Sequence, residues 1–227
     1  MTIVQPIQIQ VSQKVFEAWD KLGVNGRAEK LQKGINAFPK EQGKMAAWQI
    51  SNAKQSIAET RLMPGPTGER NELSNQGRGV FLCMSFIEGD KAKVGLVGQV
   101  FAALIAGNPV ITVGPTGQEI MDMISPFVAE GVVQNIAESA QDSLIEANHL
   151  AGIATLCDPM QAQLLSQRLA AKSGLICQLV EETDAENLSV IAKPHYVLRF
   201  VTERTVSNNT TAIGGNATLL ELGSMND

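Results

Sequence analysis

The chain has 227 residues, 44% hydrophobic and 18% charged, a balance that suits a globular body and excludes a disordered one. With aromatics at 4%, the core must be aliphatic, and a net charge of −5 without a Lys/Arg cluster argues against nucleic acid as a partner.

Residues 11–60 read as helices. Val15, Phe16, Trp19 and Leu22 keep helical spacing, as do Ala28, Leu31, Ile35 and Phe38. Asn25-Gly26 is expected to break the first run and Pro39 to end the second. A third helix is expected from about Gly43 to Leu62, with Trp19 and Trp48 as anchors that dock these helices on the main body. Pro64-Gly65-Pro66-Thr67-Gly68 is a turn cluster that marks a boundary.

From Gly77 the pattern changes. Gly79 to Met84 is a continuous apolar run, as a strand buried on both faces should be. A helix over Val94 to Ala106 follows, closed by Gly107, and Pro109 to Val113 is a second strand. Gly117 to Glu130 reads as a helix kinked or restarted at Pro126, Val132 to Ile136 as a strand, and Ser139 to Asn148 as a short helix. Ala151 to Cys157 is a fourth strand, and Asp158-Pro159 then gives an N-cap with proline at N1 for a helix reaching about Lys172. After Gly174, Leu175 to Val180 is a fifth strand. Strands alternating with helices in this way predict a doubly wound parallel, Rossmann-like α/β sheet. In the tail, Tyr196 to Thr202 alternates as a half-exposed antiparallel strand, Gly214-Gly215-Asn216 is a turn, and Ala217 to Leu222 returns as a strand. A hairpin alone is barely stable, so a partner subunit is expected beneath it. The organisation expected is a helical arm over 1–62, the α/β domain over 63–194 and a β-hairpin flap over 195–227.

Few residues point to chemistry. There is no GxGxxG between strand and helix, and Gly95-Leu96-Val97-Gly98 lies within a helix, where it favours close packing. Gly114-Pro115-Thr116-Gly117 does join a strand to a helix. Its amides face a phosphate on one reading and form a plain turn on the other, which leaves Gly114, Thr116 and Gly117 as vestigial cofactor-binding candidates. His149 and His195 are the two histidines, and no Cys/His spacing suggests a metal site. Cys83, Cys157 and Cys177 read as buried thiols of a reducing compartment. Cys157, at the carboxyl end of its strand, is the best placed as a nucleophile, but the adjacent Asp158 opposes a thiolate. The opening residues show no basic-then-apolar leader, and Val94 to Ala106 is too short to span a bilayer. A cytoplasmic location is the expectation.

Two segments carry a resemblance. LMPGPTGERNELSNQGRGVFLCMSFIEGDKAKVGLVGQVFAALIAGNPVITV, residues 62–113, resembles the nucleotide-binding domain of pyrroline-5-carboxylate (L-glutamate γ-semialdehyde) dehydrogenase. RTVSNNTTAIGGNATLLELG, Arg204 to Gly223, resembles the closing hairpin of the proline utilisation A family, whose larger members carry a non-catalytic aldehyde-dehydrogenase-like domain of this kind. The resemblance implies an aldehyde dehydrogenase superfamily fold. It also implies a hairpin that reaches a neighbouring subunit or domain, here Arg204, Asn209, Thr210, Thr211, Gly214, Gly215 and Asn216.

The departures from the family bear on activity. Where its enzymes place an oxyanion-stabilising Asn, this chain reads Ser85-Phe86-Ile87-Glu88-Gly89-Asp90. Where they place a ribose-holding Lys, it reads Thr112-Val113-Gly114. Their catalytic-cysteine domain has no room between the end of the sheet near Val180 and the hairpin from Tyr196. The expectation is a non-catalytic protein with no catalytic or metal residues and no cofactor. It would form a homodimer through the hairpin or dock on a proline utilisation A enzyme. The alternative is an NAD-binding fragment or subunit of a pyrroline-5-carboxylate dehydrogenase.

Overall fold

The computed structural model describes residues 6–209. Three helices open the chain: α1 (Ile7–Lys21), α2 (Gly23–Ile35) and α3 (Lys40–Ser56). The first break falls at Leu22–Gly23, not at Asn25-Gly26, which lies inside α2. Gly23 has φ +65°, the left-handed conformation that ends a helix and that glycine adopts without strain. Pro39 caps the start of α3 and the preceding helix already ends at Ile35.

Residues 57–77 do not continue the helical arm. They form a hairpin of β1 (Arg61–Met63) and β2 (Glu69–Gly77) around the Pro64–Gly68 turn. The expected boundary at residues 62–63 therefore falls inside β1. The Rossmann-like unit follows as β3 (Phe81–Ser85), α4 (Asp90–Ile105), β4 (Val110–Val113), α5 (Gly114–Ile124), β5 (Val133–Ile136), α6 (Gln141–Glu146), β6 (Gly152–Leu156), α7 (Pro159–Ala170) and β7 (Gln178–Glu182). The kink expected at Pro126 is a short 3-10 helix, Ser125–Phe127, after α5 has ended. The fifth strand starts at Gln178 rather than at Leu175, and Leu175 and Ile176 are exposed.

The five strands are parallel in the order β5-β4-β3-β6-β7. Helices cover both faces, and β3 shows why its sequence is apolar throughout. Phe81 and Cys83 enter one core, with α2 to α5, and Leu82 and Met84 enter the other, with Ile9, Leu144 and Leu165. Glycines set the depth of this packing. A Cβ at Gly98 on α4 would lie 2.6 Å from Ile191 Cγ2, and one at Gly117 on α5 would lie 2.5 Å from Asn135 Oδ1.

The opening helices are bonded into the body. Trp19 Nε1 donates to Leu104 O at 3.0 Å and Arg27 Nε to Ile105 O at 2.9 Å, both carbonyls of the last turn of α4. Trp48 is partly exposed, and its indole N–H reaches Ala192 O at 3.0 Å.

The tail also departs from expectation. Tyr196–Phe200 is a 3-10 helix, not a strand, because Tyr196, Val197 and Phe200 all turn into the core. The Phe200 ring lies 5.0 Å from Phe81 and 5.2 Å from Tyr196. The strand proper is β8 (Val201–Asn209), which pairs antiparallel with β2 over nine residues, from Glu69↔Asn209 to Gly77↔Val201. The tail strand thus finds its support within its own chain, in the sheet β1-β2-β8. The expected return strand, 217–222, lies outside the described residues.

Candidate functional site

In an open α/β sheet, ligands gather at the carboxyl ends of the strands, where the strand order reverses. Here the chain winds outward from β3 through β4 to β5, then returns to place β6 and β7 on the other side of β3. A crevice of about 580 Å³ opens above β3, β4 and β5, within the range of small-molecule sites. Its walls include Ser85, Glu88, Lys93, Thr116 and Glu138. The loop after β3 is the Ser85–Asp90 stretch. Ser85 Oγ donates to Ile87 O at 2.7 Å and accepts from Ile87 N at 3.2 Å, so that hydroxyl is spent on shaping its own loop.

The three candidate cofactor residues part company. Thr116 lies at the mouth of the crevice, at the start of α5. Gly114, with φ +72°, sits against Glu138: a Cβ there would lie 2.8 Å from Glu138 Oε1. Gly117 faces inward, against Thr112 and Asn135, and is a packing residue. Its carbonyl accepts from Thr112 Oγ1 at 3.0 Å.

The helix starts along this rim carry acidic groups. Asp90 lies in the first turn of α4, the Glu138 carboxylate packs beside the start of α5, and Asp158 caps α7. At α7, Asp158 Oδ1 accepts from Gln161 N at 2.8 Å and Gln161 Oε1 accepts from Asp158 N at 3.1 Å, a reciprocal capping box. Pro159 removes a further amide. The first amides of α7 are thus taken up or absent, whereas α4 and α5, which border the crevice, carry no side-chain cap. Lys93 is a cation of this region, and it reaches Glu119 at 3.7 Å.

Cys83, Cys157 and Cys177 are all buried. Burial pushes the Cys157 thiol up to about 11, and Asp158 and Glu181 raise it further against a hydrogen bond involving Thr155. Burial also raises Cys83 and Cys177. His149 stands at φ 73° before β6, and His195 precedes the 3-10 helix of the tail, away from the crevice. Among the described residues, no group of His, Cys, Asp and Glu is arranged to hold a metal ion.

The sequence reading missed Glu182. It lies at the end of β7, is fully buried, and opens the short passage to the tail. Its carboxylate accepts from Val190 N at 2.7 Å and from Ile191 N and Asp184 N at 3.0 Å each. The passage is also held by Gln49 Nε2, which donates to Ile191 O at 2.8 Å. Leu188 and Ile191 fill the space above Gly95 and Gly98 of α4. Nothing in the run Glu181-Glu182-Thr183-Asp184 separates this buried carboxylate from its solvated neighbours in sequence.

Of the proposed flap, Arg204 pairs with Ser74 and Asn209 with Glu69 on β2. Thr210, Thr211, Gly214, Gly215 and Asn216 lie outside the described residues.

No protein-family model matches the chain. Over 164 residues, 72% of its length, it is 29% identical to the bifunctional protein PutA of Escherichia coli strain K12. Over 186 residues, 80% of its length, it is 27% identical to that of Rhizobium meliloti. The chain is a homologue of PutA. It spans 11% and 14% of the length of those two relatives. A Bradyrhizobium japonicum PutA structure matches it with a TM-score of 0.68 at 22% identity, covering 78% of this chain and 21% of that one. An NAD-dependent benzaldehyde dehydrogenase from Corynebacterium glutamicum gives 0.61 at 14%, covering 78% and 44%. These likenesses show a Rossmann-like fold of the kind found in aldehyde dehydrogenase structures.

Proposed function

We propose that this stretch is a non-catalytic, aldehyde-dehydrogenase-like protein of proline catabolism, acting in assembly or by docking on a PutA-type enzyme. The link to proline catabolism rests on the PutA relationship. The observation that carries the non-catalytic reading is the closed passage between β7 and the tail. An enzyme of this superfamily presents its thiol from a domain placed there. Here residues 183–195 run directly from one element to the next, sealed onto α4 and held by the Glu182 carboxylate. Such a loop leaves no cleft for an aldehyde and its oxyanion donors.

The same reading takes the crevice as one that does not hold NAD in the manner of the active enzymes. Acidic groups at the starts of α4 and α5, Asp90 and the Glu138 carboxylate, support this. The alternative, an NAD-binding subunit of a pyrroline-5-carboxylate dehydrogenase, draws on the size of the crevice. Thermal unfolding with NAD separates the two, because a ligand of the folded state raises the midpoint with its concentration. The midpoint is expected to stay unchanged at millimolar NAD, and a concentration-dependent rise favours the alternative.

Docking is tested by a pull-down with a PutA enzyme lacking its own extra aldehyde-dehydrogenase-like domain. Capture is expected with the full chain and loss with a chain ending at Asn209. Equal capture by both removes the hairpin from the reading. Cutting before Tyr196 is a poor test, since it would strip Tyr196, Val197 and Phe200 from the core.

A further inference from the structure

The first two turns of α4 border two separate hollows. Ala92, Lys93 and Leu96 line the crevice above the sheet, whereas Asp90, Lys91 and Val94 wall a second hollow of about 600 Å³. α3 supplies another side of it, with Lys44, Met45 and Trp48 at the spacing of one helix face. The passage after β7 forms the third side, through Glu186, Leu188 and Ala192. The volume is that of a small-molecule site.

An aromatic ring is fixed in this hollow. Of the two tryptophans, Trp19 is 3% exposed and Trp48 is 41% exposed. The Trp48 indole N–H donates to Ala192 O at 3.0 Å, and the adjoining Gln49 Nε2 donates to Ile191 O at 2.8 Å. The ring is thus anchored at its polar edge while part of its apolar surface stays open. Met45 and Val94 are partly buried around it, and Leu188 is buried. A preformed wall of this kind spares a ligand the cost of ordering it.

Charge selects the ligand. Glu41, Asp90 and Glu186 stand against Lys44 and Lys91. Lys44 reaches Glu41 at 2.8 Å, and its hydrogen bond and charge, with smaller help from Lys40 and Lys91, hold the Glu41 carboxyl below its ordinary range. Both lysines of the hollow therefore act on one carboxylate. Among the described residues, Asp90 and Glu186 form no ion pair. Asp90 also lies in the first turn of its own helix, which leaves Glu186 the least compensated. An anion would meet surplus carboxylate here. A bare metal ion would gain nothing from Met45, Val94 and Leu188. A positive group on an apolar body suits both the carboxylates and the ring, since an indole face attracts cations.

We propose that this hollow binds a small organic cation of the alkyl- or arylammonium class. Its charge lies against the Trp48 ring and the Asp90 and Glu186 carboxylates, and its apolar body lies on Met45, Val94 and Leu188. The site is separate from the crevice and does not depend on whether the chain is an enzyme.

Calorimetric titration of the full chain with three probes that share one ring tests it: benzyltrimethylammonium, benzyl alcohol and benzoate. The cation is expected to bind saturably, at one site per chain, with a Kd of about 1 mM or tighter, and the neutral and anionic probes about tenfold more weakly. The cation should also change the tryptophan fluorescence, because Trp48 is the more exposed indole. Glu186→Gln, at an exposed position, should weaken the cation about threefold and leave benzyl alcohol unchanged. Trp48→Leu keeps an apolar side chain and should abolish the preference for the cation. Its thermal midpoint reports any loosening of the passage, and Glu186→Gln decides the matter if that midpoint drops. Equal affinity for the three probes overturns the proposal, as does a cation affinity that neither variant lowers. Absence of saturable benzyltrimethylammonium binding overturns it as well.

Discussion

At the scale of single residues, buried polar groups hold the points where segments meet. Asn108 is fully buried between α4 and β4, and its one amide serves three segments. Oδ1 accepts from Arg78 N at 2.6 Å and Gly79 N at 3.0 Å, and Nδ2 donates to Ala103 O at 3.1 Å and Phe200 O at 2.9 Å. Asn108→Ala leaves buried donors and acceptors without partners, and urea denaturation should show a loss of about 3 kcal/mol or more. Glu182→Ala strips three backbone amides of their acceptor, and a loss of about 1–3 kcal/mol is expected by the same measurement. Equal stability of the Glu182 variant would mean the passage after β7 is held by Leu188 and Ile191 alone. The thiols make a pH prediction. The Cys157 thiol stays protonated in the folded chain to about pH 11, whereas in the unfolded chain it ionises near its ordinary value of 9.0. Raised folded values contribute stability that is complete below the unfolded value and is lost as pH climbs through the folded one. Stability should therefore fall between pH 9 and 11, and replacing Cys157 by Ala or Ser should make that fall shallower, the buried Cys83 and Cys177 supplying the remainder. In native protein at pH 8, Ellman's reagent should find almost no reactive thiol, and in denaturant it should find all three cysteines.

At the scale of elements, the parallel sheet was readable because each strand is an apolar run bounded by a turn and followed by a helical pattern. The Asp158-Pro159 start of α7 was readable too, since capping chemistry is local. The antiparallel sheet was not. Glu69–Gly77 is polar along its length and half-buried, so no alternation marks it as a strand, and its partner lies more than a hundred residues away at β8. Tyr196–Phe200 alternates in sequence like a strand but winds as a 3-10 helix, because rings packed on Phe81 outweigh local preference. The crevice was half legible. Thr116 was placed from the strand-to-helix junction, whereas Glu138 reaches Gly114 only through the fold. Gly98 on α4 gives an element-scale test. Ala there would meet Ile191 Cγ2 at 2.6 Å, so Gly98→Ala should destabilise by about 1–3 kcal/mol in thermal or denaturant unfolding. Combined with Ile191→Ala, the two losses should sum to less than their separate values, because the shorter side chain makes room for the added methyl.

At the scale of the whole molecule, β7 and the tail are joined by a short passage bonded onto the body. The fold matches those of aldehyde dehydrogenase structures, and residues 183–195 join β7 directly to the tail. Fold likeness alone does not confer activity, so the claim stands on that junction and on thiols that burial keeps protonated. Among the described residues no helix is long and apolar enough to cross a membrane. The most direct measurement is NADH formation by the purified chain with glutamate semialdehyde and NAD, read by absorbance. No rate above that of buffer is expected. A steady rate that thiol alkylation abolishes would contradict the non-catalytic reading outright.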